Sequence, residues 1–373
     1  MTETDEAYDE PLFFRVIQYA ENADRDVVDM VSGNPDWEPP AALRDGLRDY
    51  AGADPPEFQY QASEGLGELR EEIAARRNVD SSRLVATNGA GEANYLAMAA
   101  AIERGAGTEF LLTDPVYPYY PGKATMLGGS VTRVPVHEDG HVDVAGMRAA
   151  ASEDTGAIVL NTPNNPTGAV YDIDAVAALA DVAAEVDALL VVDEVYDHFD
   201  FTGRFESALT LDRDHVVVTS SFSKSMGITG FRVGYAVFPD DLVAAARTRH
   251  MLVNVTGSRP AQTAVAHALR ETPPSYYESI RDTIRERIDA LTAALDAIGA
   301  DYTTPEGAFY VLARFADFPG TMANAERLID EAGVAGMPGE TFGDAYDDWI
   351  RFSLCTDRVD EAAARLTAYF EGS

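Results

Sequence analysis

The chain has 373 residues, 46% of them apolar, enough for a large core and two or three domains. Its 28 basic and 63 acidic residues leave a net charge of −35, which repels phosphate backbones and anionic lipid, so neither nucleic acid nor membrane is an expected partner. A single cysteine, Cys355, rules out an intrachain disulfide framework and a cysteine-based zinc cluster.

The carboxylates are spread along the chain, and lysine occurs only at positions 123 and 224. That pattern matches adaptation to high salt, where self-repulsion is screened; an acidic mesophilic protein with an arginine bias is the alternative. The first ten residues, MTETDEAYDE, lack the basic and apolar regions of a signal peptide, and the longest apolar run, 95–102, is far short of a membrane span. A cytoplasmic location is the expectation.

Residues 1–44 are proline-rich near their end, show no strand pattern, and read as an arm packing on a small domain. Residues 45–272 alternate short apolar runs with helical patterns. The runs are 84–87, 110–114, 130–136, 157–162, 188–196, 215–220 and 233–238. Helical spacing covers 92–104 and 172–186. This predicts an α/β fold, a mixed, mostly parallel seven-stranded sheet covered by helices. The run 233–238 follows a loop too short for a crossover helix, so that strand is expected to be antiparallel. Residues 273–373 predict a smaller α+β domain, with helices over 276–298, 322–332 and 359–370 and strands over 308–315 and 349–354.

Four segments carry chemistry. Asn88-Gly89-Ala90-Gly91-Glu92 joins a strand to a helix, whose free N–H groups suit a phosphate. Its Gly-x-Gly is also half of a dinucleotide fingerprint, with Asn94 at the third glycine position and Asp114 as ribose acid, so a nicotinamide-dependent dehydrogenase competes. Asn161-Thr162-Pro163-Asn164-Asn165-Pro166-Thr167-Gly168 is a proline-fixed turn able to present an asparagine amide. Asp193 ends a very apolar strand. It is either a structural ion pair or cap, or the counter-ion of a protonated heterocycle. Ser220-Ser221-Phe222-Ser223-Lys224-Ser225-Met226-Gly227 places one of the two lysines just after a strand, with Arg232 following. A surface lysine is the ordinary reading. A desolvated Schiff-base nucleophile is the other, and the scarcity of lysine favours it.

Further on, Ile350, Phe352 and Leu354 share one strand face, so Arg351 points to the other. It is either a surface arginine or a bidentate carboxylate ligand. His137 and His141 flank a turn, Glu138-Asp139-Gly140, and no metal site is expected there. His198 reads as structural. Arg259 is a weak candidate for reaching a substrate's distal carboxylate across a dimer interface. Lys123 is another, though it reads more readily as a surface residue.

Asn-Pro-Thr-Gly, Asp-Glu-Val-Tyr, Ser-Phe-Ser-Lys and Gly-Phe-Arg-Val-Gly-Tyr occur in that order. Gly33-Asn34-Pro35-Asp36, Tyr60 with Gly65, Asp114-Pro115-Val116-Tyr117, Pro305-Glu306-Gly307-Ala308-Phe309-Tyr310, Pro338-Gly339 and Phe342-Gly343 extend the set over nearly the whole chain. The ordered set resembles the class I/II aminotransferases, fold-type I enzymes that use pyridoxal 5'-phosphate. The resemblance implies transfer of an amino group from an L-amino acid to a 2-oxo acid, such as 2-oxoglutarate, through a Lys224 aldimine. It implies that Asp193 pairs with the pyridine nitrogen, that Asn165 and Tyr196 hold the ring hydroxyl, and that Tyr117 stacks on the ring. Ala90, Gly91, Ser221 and Arg232 would hold the phosphate, and Gly33 and Arg351, with Asn165, the substrate carboxylate. Tyr60 would reach the neighbouring subunit's site in a homodimer. A carbon–sulfur lyase on the same fold and a non-catalytic regulatory module would share most of these residues.

Overall fold

An unbroken apolar strand is stable only when both its faces are covered. The computed structural model, which describes residues 11–105 and 107–372, meets that demand in its largest sheet. A short strand, β1 (Val28–Asp29), precedes it. The sheet itself comprises β2 (Leu84–Thr87), β3 (Glu109–Asp114), β4 (Ser130–Pro135), β5 (Thr155–Asn161), β6 (Leu189–Asp193), β7 (Val216–Ser221) and β8 (Gly234–Val237). Its order is β2-β8-β7-β6-β5-β3-β4. Strand β8 is antiparallel to both neighbours, and every other pairing is parallel, as the short loop before it predicts.

The alternation of side chains along a strand sorts the core. Leu189 and Val191 pack with Phe110, Val159 and Val217 against the helix Ala90–Arg104. Leu190 and Val192 face the other way, onto Val176 and Leu179 of the helix Ile173–Glu185. Covering both faces leaves the strand ends as the place where polar side chains can gather.

The C-terminal part builds a second sheet from β9 (Asp301–Tyr302), β10 (Tyr310–Arg314), β12 (Met337–Pro338) and β13 (Trp349–Ser353), in the order β12-β13-β10-β9, all antiparallel. The helices Pro274–Ala297 and Val359–Glu371 pack with it through Ile284, Leu291, Leu295, Ala362 and Leu366. The helix expected over 322–332 is split into an α-helix, Met322–Arg327, and a π-turn, Leu328–Ala332.

The first 40 residues, read as strandless, do contain a strand. Strand β1 pairs in parallel with β11 (Val334–Ala335). Two residues are too few to show a period, and the partner lies near the other end of the chain. The helix Leu12–Glu21 lies beside Met322–Arg327, whereas Ala41–Ala51 lies along Arg259–Glu271. A boundary after residue 44 would cut that second helix, so we propose drawing the arm to end before Ala41 and the smaller domain to begin at about Pro274. Among the described residues no helix is long and apolar enough to cross a membrane.

Candidate active site

The parallel strands β5, β6 and β7 all end at the same edge of the sheet, where open α/β sheets bind ligands. Asp193 is the last residue of β6 and is 3% exposed. Its Oδ2 accepts hydrogen bonds from Asn94 Nδ2 at 2.6 Å and Tyr120 Oη at 2.7 Å, and its Oδ1 accepts the Val195 N–H at 3.1 Å. Asn94 is held in turn by Thr219 Oγ1, 2.5 Å from its Oδ1. Burial pushes the Asp193 carboxyl up, and the Tyr120, Asn94 and Val195 donors oppose that shift.

One strand over, Asn161 ends β5. Its amide donates to the Asp193 carbonyl at 2.9 Å and its Oδ1 accepts the Asn165 N–H at 2.8 Å. That fixes Asn165, whose Oδ1 accepts Arg351 Nη1 at 3.0 Å. Arg351 is only 1% exposed, so the surface-arginine reading is excluded. It also donates to the Val31 carbonyl and lies over the rings of Tyr310 at 4.3 Å and Phe342 at 5.0 Å. Its Nε is buried without a partner, and no carboxylate among the described residues pairs with it. A buried guanidinium with a vacant donor suits an incoming carboxylate.

Lys224 follows β7 and is held by the Gly33 carbonyl, 2.6 Å from Nζ. Burial lowers its pKa to about 8, and the Arg351 and Arg232 charges push the same way. A Cβ at Gly33 would stand 2.3 Å from Tyr310 Oη, so a larger residue there would have to displace that tyrosine. That tyrosine also meets Tyr196, hydroxyl to hydroxyl, at 3.0 Å.

Arg232, which also lines the cavity, adopts a left-handed backbone and donates to the carbonyls of Thr229 at 2.9 Å and Asn88 at 3.2 Å. Its guanidinium fills the space beside Gly89, where a Cβ would come within 2.5 Å of Nη2. Ala90 and Gly91 open the helix Ala90–Arg104, so their N–H groups have no intrahelical acceptor. Glu92 secures this turn by accepting the Asn88 N–H at 2.6 Å and His250 Nδ1 at 2.5 Å.

Every residue that the resemblance assigns to the cofactor or the substrate's α-carboxylate lines this one cavity except Tyr60, and of the two distal-carboxylate candidates Arg259 lies outside it. Tyr60 is 81% exposed and sits on the surface beside Arg259. Arg259 is not a free cation. It pairs with Glu57 and donates to the carbonyls of Pro56 at 3.2 Å and Gln59 at 3.3 Å. Lys123, read as a surface residue, lines the cavity instead. His198 stacks on Tyr277, with ring centroids 4.4 Å apart, and His141 Nε2 lies 3.0 Å from Glu306.

Sequence reasoning missed Asn94, Tyr120, Ser223 and Tyr310 as part of the site. Tyr120 lies in the first turn of the helix Tyr119–Met126, just after Tyr117, and their rings meet at 5.7 Å, but nothing in the local sequence singles it out. Asn94 carries no signal of its own either. Cast from the sequence as a fingerprint position, it serves Asp193 instead. Asp114, cast as a ribose acid, accepts the Asp344 N–H at 3.3 Å.

Residues 25–366 match the family model described as aminotransferase class I and II. The chain belongs to the class I and II aminotransferases. It is 32% identical to an aspartate/prephenate aminotransferase of Thermus thermophilus, over 89% of this chain and 87% of that one. It is 30% identical to a probable N-succinyldiaminopimelate aminotransferase of Mycobacterium tuberculosis, over 92% of each. Its fold matches a solved aspartate aminotransferase of T. thermophilus with a TM-score of 0.90 at 30% identity, covering 99% of both chains.

The family uses pyridoxal phosphate, and the aminotransferase's cavity fits that group. Ser223 Oγ is buried with no partner and lines the cavity together with Ala90, Gly91 and Arg232, a free donor of the kind a phosphate would take up. The Asp193 carboxyl is held by three donors in a dry setting, as the counter-ion of a pyridinium requires. Membership of this family displaces the nicotinamide dehydrogenase.

Proposed function

We propose that this aminotransferase carries pyridoxal phosphate on Lys224 and exchanges amino groups between an L-amino acid and 2-oxoglutarate. The observation that carries the reading is Lys224 itself, a buried amine with its pKa lowered to about 8, in one cavity with Asp193, Asn165 and Arg351. When bound, the cofactor supplies an electron sink for charge left on the substrate Cα.

The chain's residues do the rest. Asp193 would favour a protonated pyridine nitrogen. Asn165 and Tyr196 would hold the ring hydroxyl, and Tyr117 would lie against the ring. Ala90, Gly91, Ser221 and Arg232, joined by Ser223, would take the phosphate. Arg351 and Asn165, with Gly33, fix the substrate carboxylate and so choose which Cα bond is broken. Lys224 Nζ takes the Cα proton as a free amine, a form its lowered pKa makes accessible near neutral pH.

We place the enzyme in the cytoplasm, as a homodimer in which Tyr60 reaches the partner's site. Exposed Phe58, Tyr60, Leu252, Val253 and Val255 supply the apolar surface such a contact needs. The test is a screen of L-amino donors with 2-oxoglutarate in high salt, measuring both glutamate and ammonia. Glutamate with a matching 2-oxo acid supports the proposal. Ammonia without glutamate overturns it in favour of an eliminating lyase.

A further inference from the structure

A chain with a net charge of −35 and two lysines has little use for a stray ammonium, yet the second lysine also enters the cavity. Lys123 lies on the helix Tyr119–Met126, four residues after Tyr119 and three after Tyr120. At that spacing its side chain lies over both rings, with Nζ 5.5 Å from the Tyr119 centroid and 6.0 Å from that of Tyr120.

Its hydrogen bond is weak, to the Tyr119 carbonyl at 3.4 Å. No carboxylate of the described residues forms an ion pair with it. The opposing charge that acts on it is that of Asp193, whose oxygens already hold Tyr120, Asn94 and the Val195 N–H. The other cations of the cavity are anchored: Lys224 on Gly33, Arg232 on Thr229 and Asn88, Arg351 on Asn165 and Val31. Burial lowers the Lys123 pKa to about 8, a cost that a bound anion would remove. The phosphate has its own donors in Arg232, Ser221, Ser223 and the Gly89 turn, and the substrate's α-carboxylate has Arg351. One cationic contact is left over.

We propose that Lys123 selects the substrate side chain, favouring amino acids and 2-oxo acids that carry a second carboxylate. The inference rests on the aminotransferase reading above and assigns its substrate class. A bulky apolar side chain would leave the ammonium desolvated and unpaired, whereas a distal carboxylate converts it into a charge-assisted contact.

The test compares succinate with butyrate, which differ by the second carboxylate. Their binding to the pyridoxal-phosphate-loaded protein is measured by calorimetry at constant ionic strength. The wild type should prefer succinate by about tenfold or more, the range of a charge-assisted hydrogen bond. Lys123→Met should remove most of that preference, and Lys123→Arg, which keeps the charge, should retain the larger part. In the amino-donor reaction, Lys123→Met should lower the ratio of kcat/KM for aspartate over asparagine by a similar factor. A wild type indifferent to the second carboxylate overturns the proposal, a result that depends on no variant folding. So does a Lys123→Met preference equal to that of the wild type, which would assign the contact to another cation. A protein that makes no 2-oxo acid from any donor would defeat the aminotransferase reading. The succinate-to-butyrate ratio would still report on Lys123.

Discussion

The Tyr120 hydroxyl donates to Asp193 Oδ2 at 2.7 Å, joining a helix after β3 to the end of β6. Asn94 donates to the same oxygen from a third element, so the carboxylate is held from two sides. Asp193→Ala should still form the borohydride-reducible linkage between Lys224 and the cofactor, since that bond needs only the amine and the aldehyde. It should lose about 10²–10³ in the exchange of the substrate Cα hydrogen with deuterated water, the range for a removed electrostatic partner. Tyr120→Phe deletes one donor and leaves Asn94, so its loss should be smaller, about tenfold. Exchange at the wild-type rate in Asp193→Ala, with cofactor bound, would make Asp193 a structural residue only.

The pKa of Lys224, lowered to about 8, gives two linked expectations. Attachment of pyridoxal phosphate to the cofactor-free protein needs the unprotonated amine, so its rate should rise with pH through a midpoint near 8. A midpoint near 10.5, the ordinary lysine value, would show that Nζ is not desolvated. The second expectation concerns stability. Between about pH 8 and 10.5 the unfolded chain binds a proton on Lys224 that the folded chain does not. Cofactor-free wild type should therefore gain stability relative to Lys224→Met as pH rises through that window. Below it both states are protonated, and the difference should be constant. Chemical denaturation of the two proteins over pH 7–10 reads this directly.

Tyr60 is 81% exposed and lies outside its own cavity, which is where a residue serving a neighbour must be. In the proposed homodimer, mixing a Tyr60→Phe chain with a Lys224→Ala chain would place both lesions in one site and leave the other intact. Activity should reappear on mixing. A mixture no more active than its parents would return Tyr60 to the surface as an ordinary residue.

The net charge of −35 predicts a stability that depends on salt. As the Debye length falls to about 3 Å at molar salt, carboxylate repulsion weakens. The melting temperature, followed with the cofactor saturating, should climb with potassium chloride over that range. A flat or falling curve would remove the high-salt reading without touching the enzymology.

The seven-stranded sheet, the reversed direction of β8 and the strand-end positions of Asn161, Asp193 and Ser221 are legible in the sequence. Those features are written locally: apolar runs mark buried strands, a short loop forbids a crossover, and a polar residue closing an apolar run must meet something at the edge. The sequence also singles out Lys224, because a composition nearly devoid of lysine makes one lysine at a strand end informative. Which distant groups meet is fixed by the fold alone. The bond from Tyr120 to Asp193, the contact of Arg351 with Asn165, the pairing of β1 with β11 and the entry of Lys123 into the cavity each join elements that lie far apart in the chain. Periodicity states which face of an element is buried, but not which element it faces. That is set by strand order and by the packing of the arm and small domain, which bring side chains from widely separated segments around one cavity.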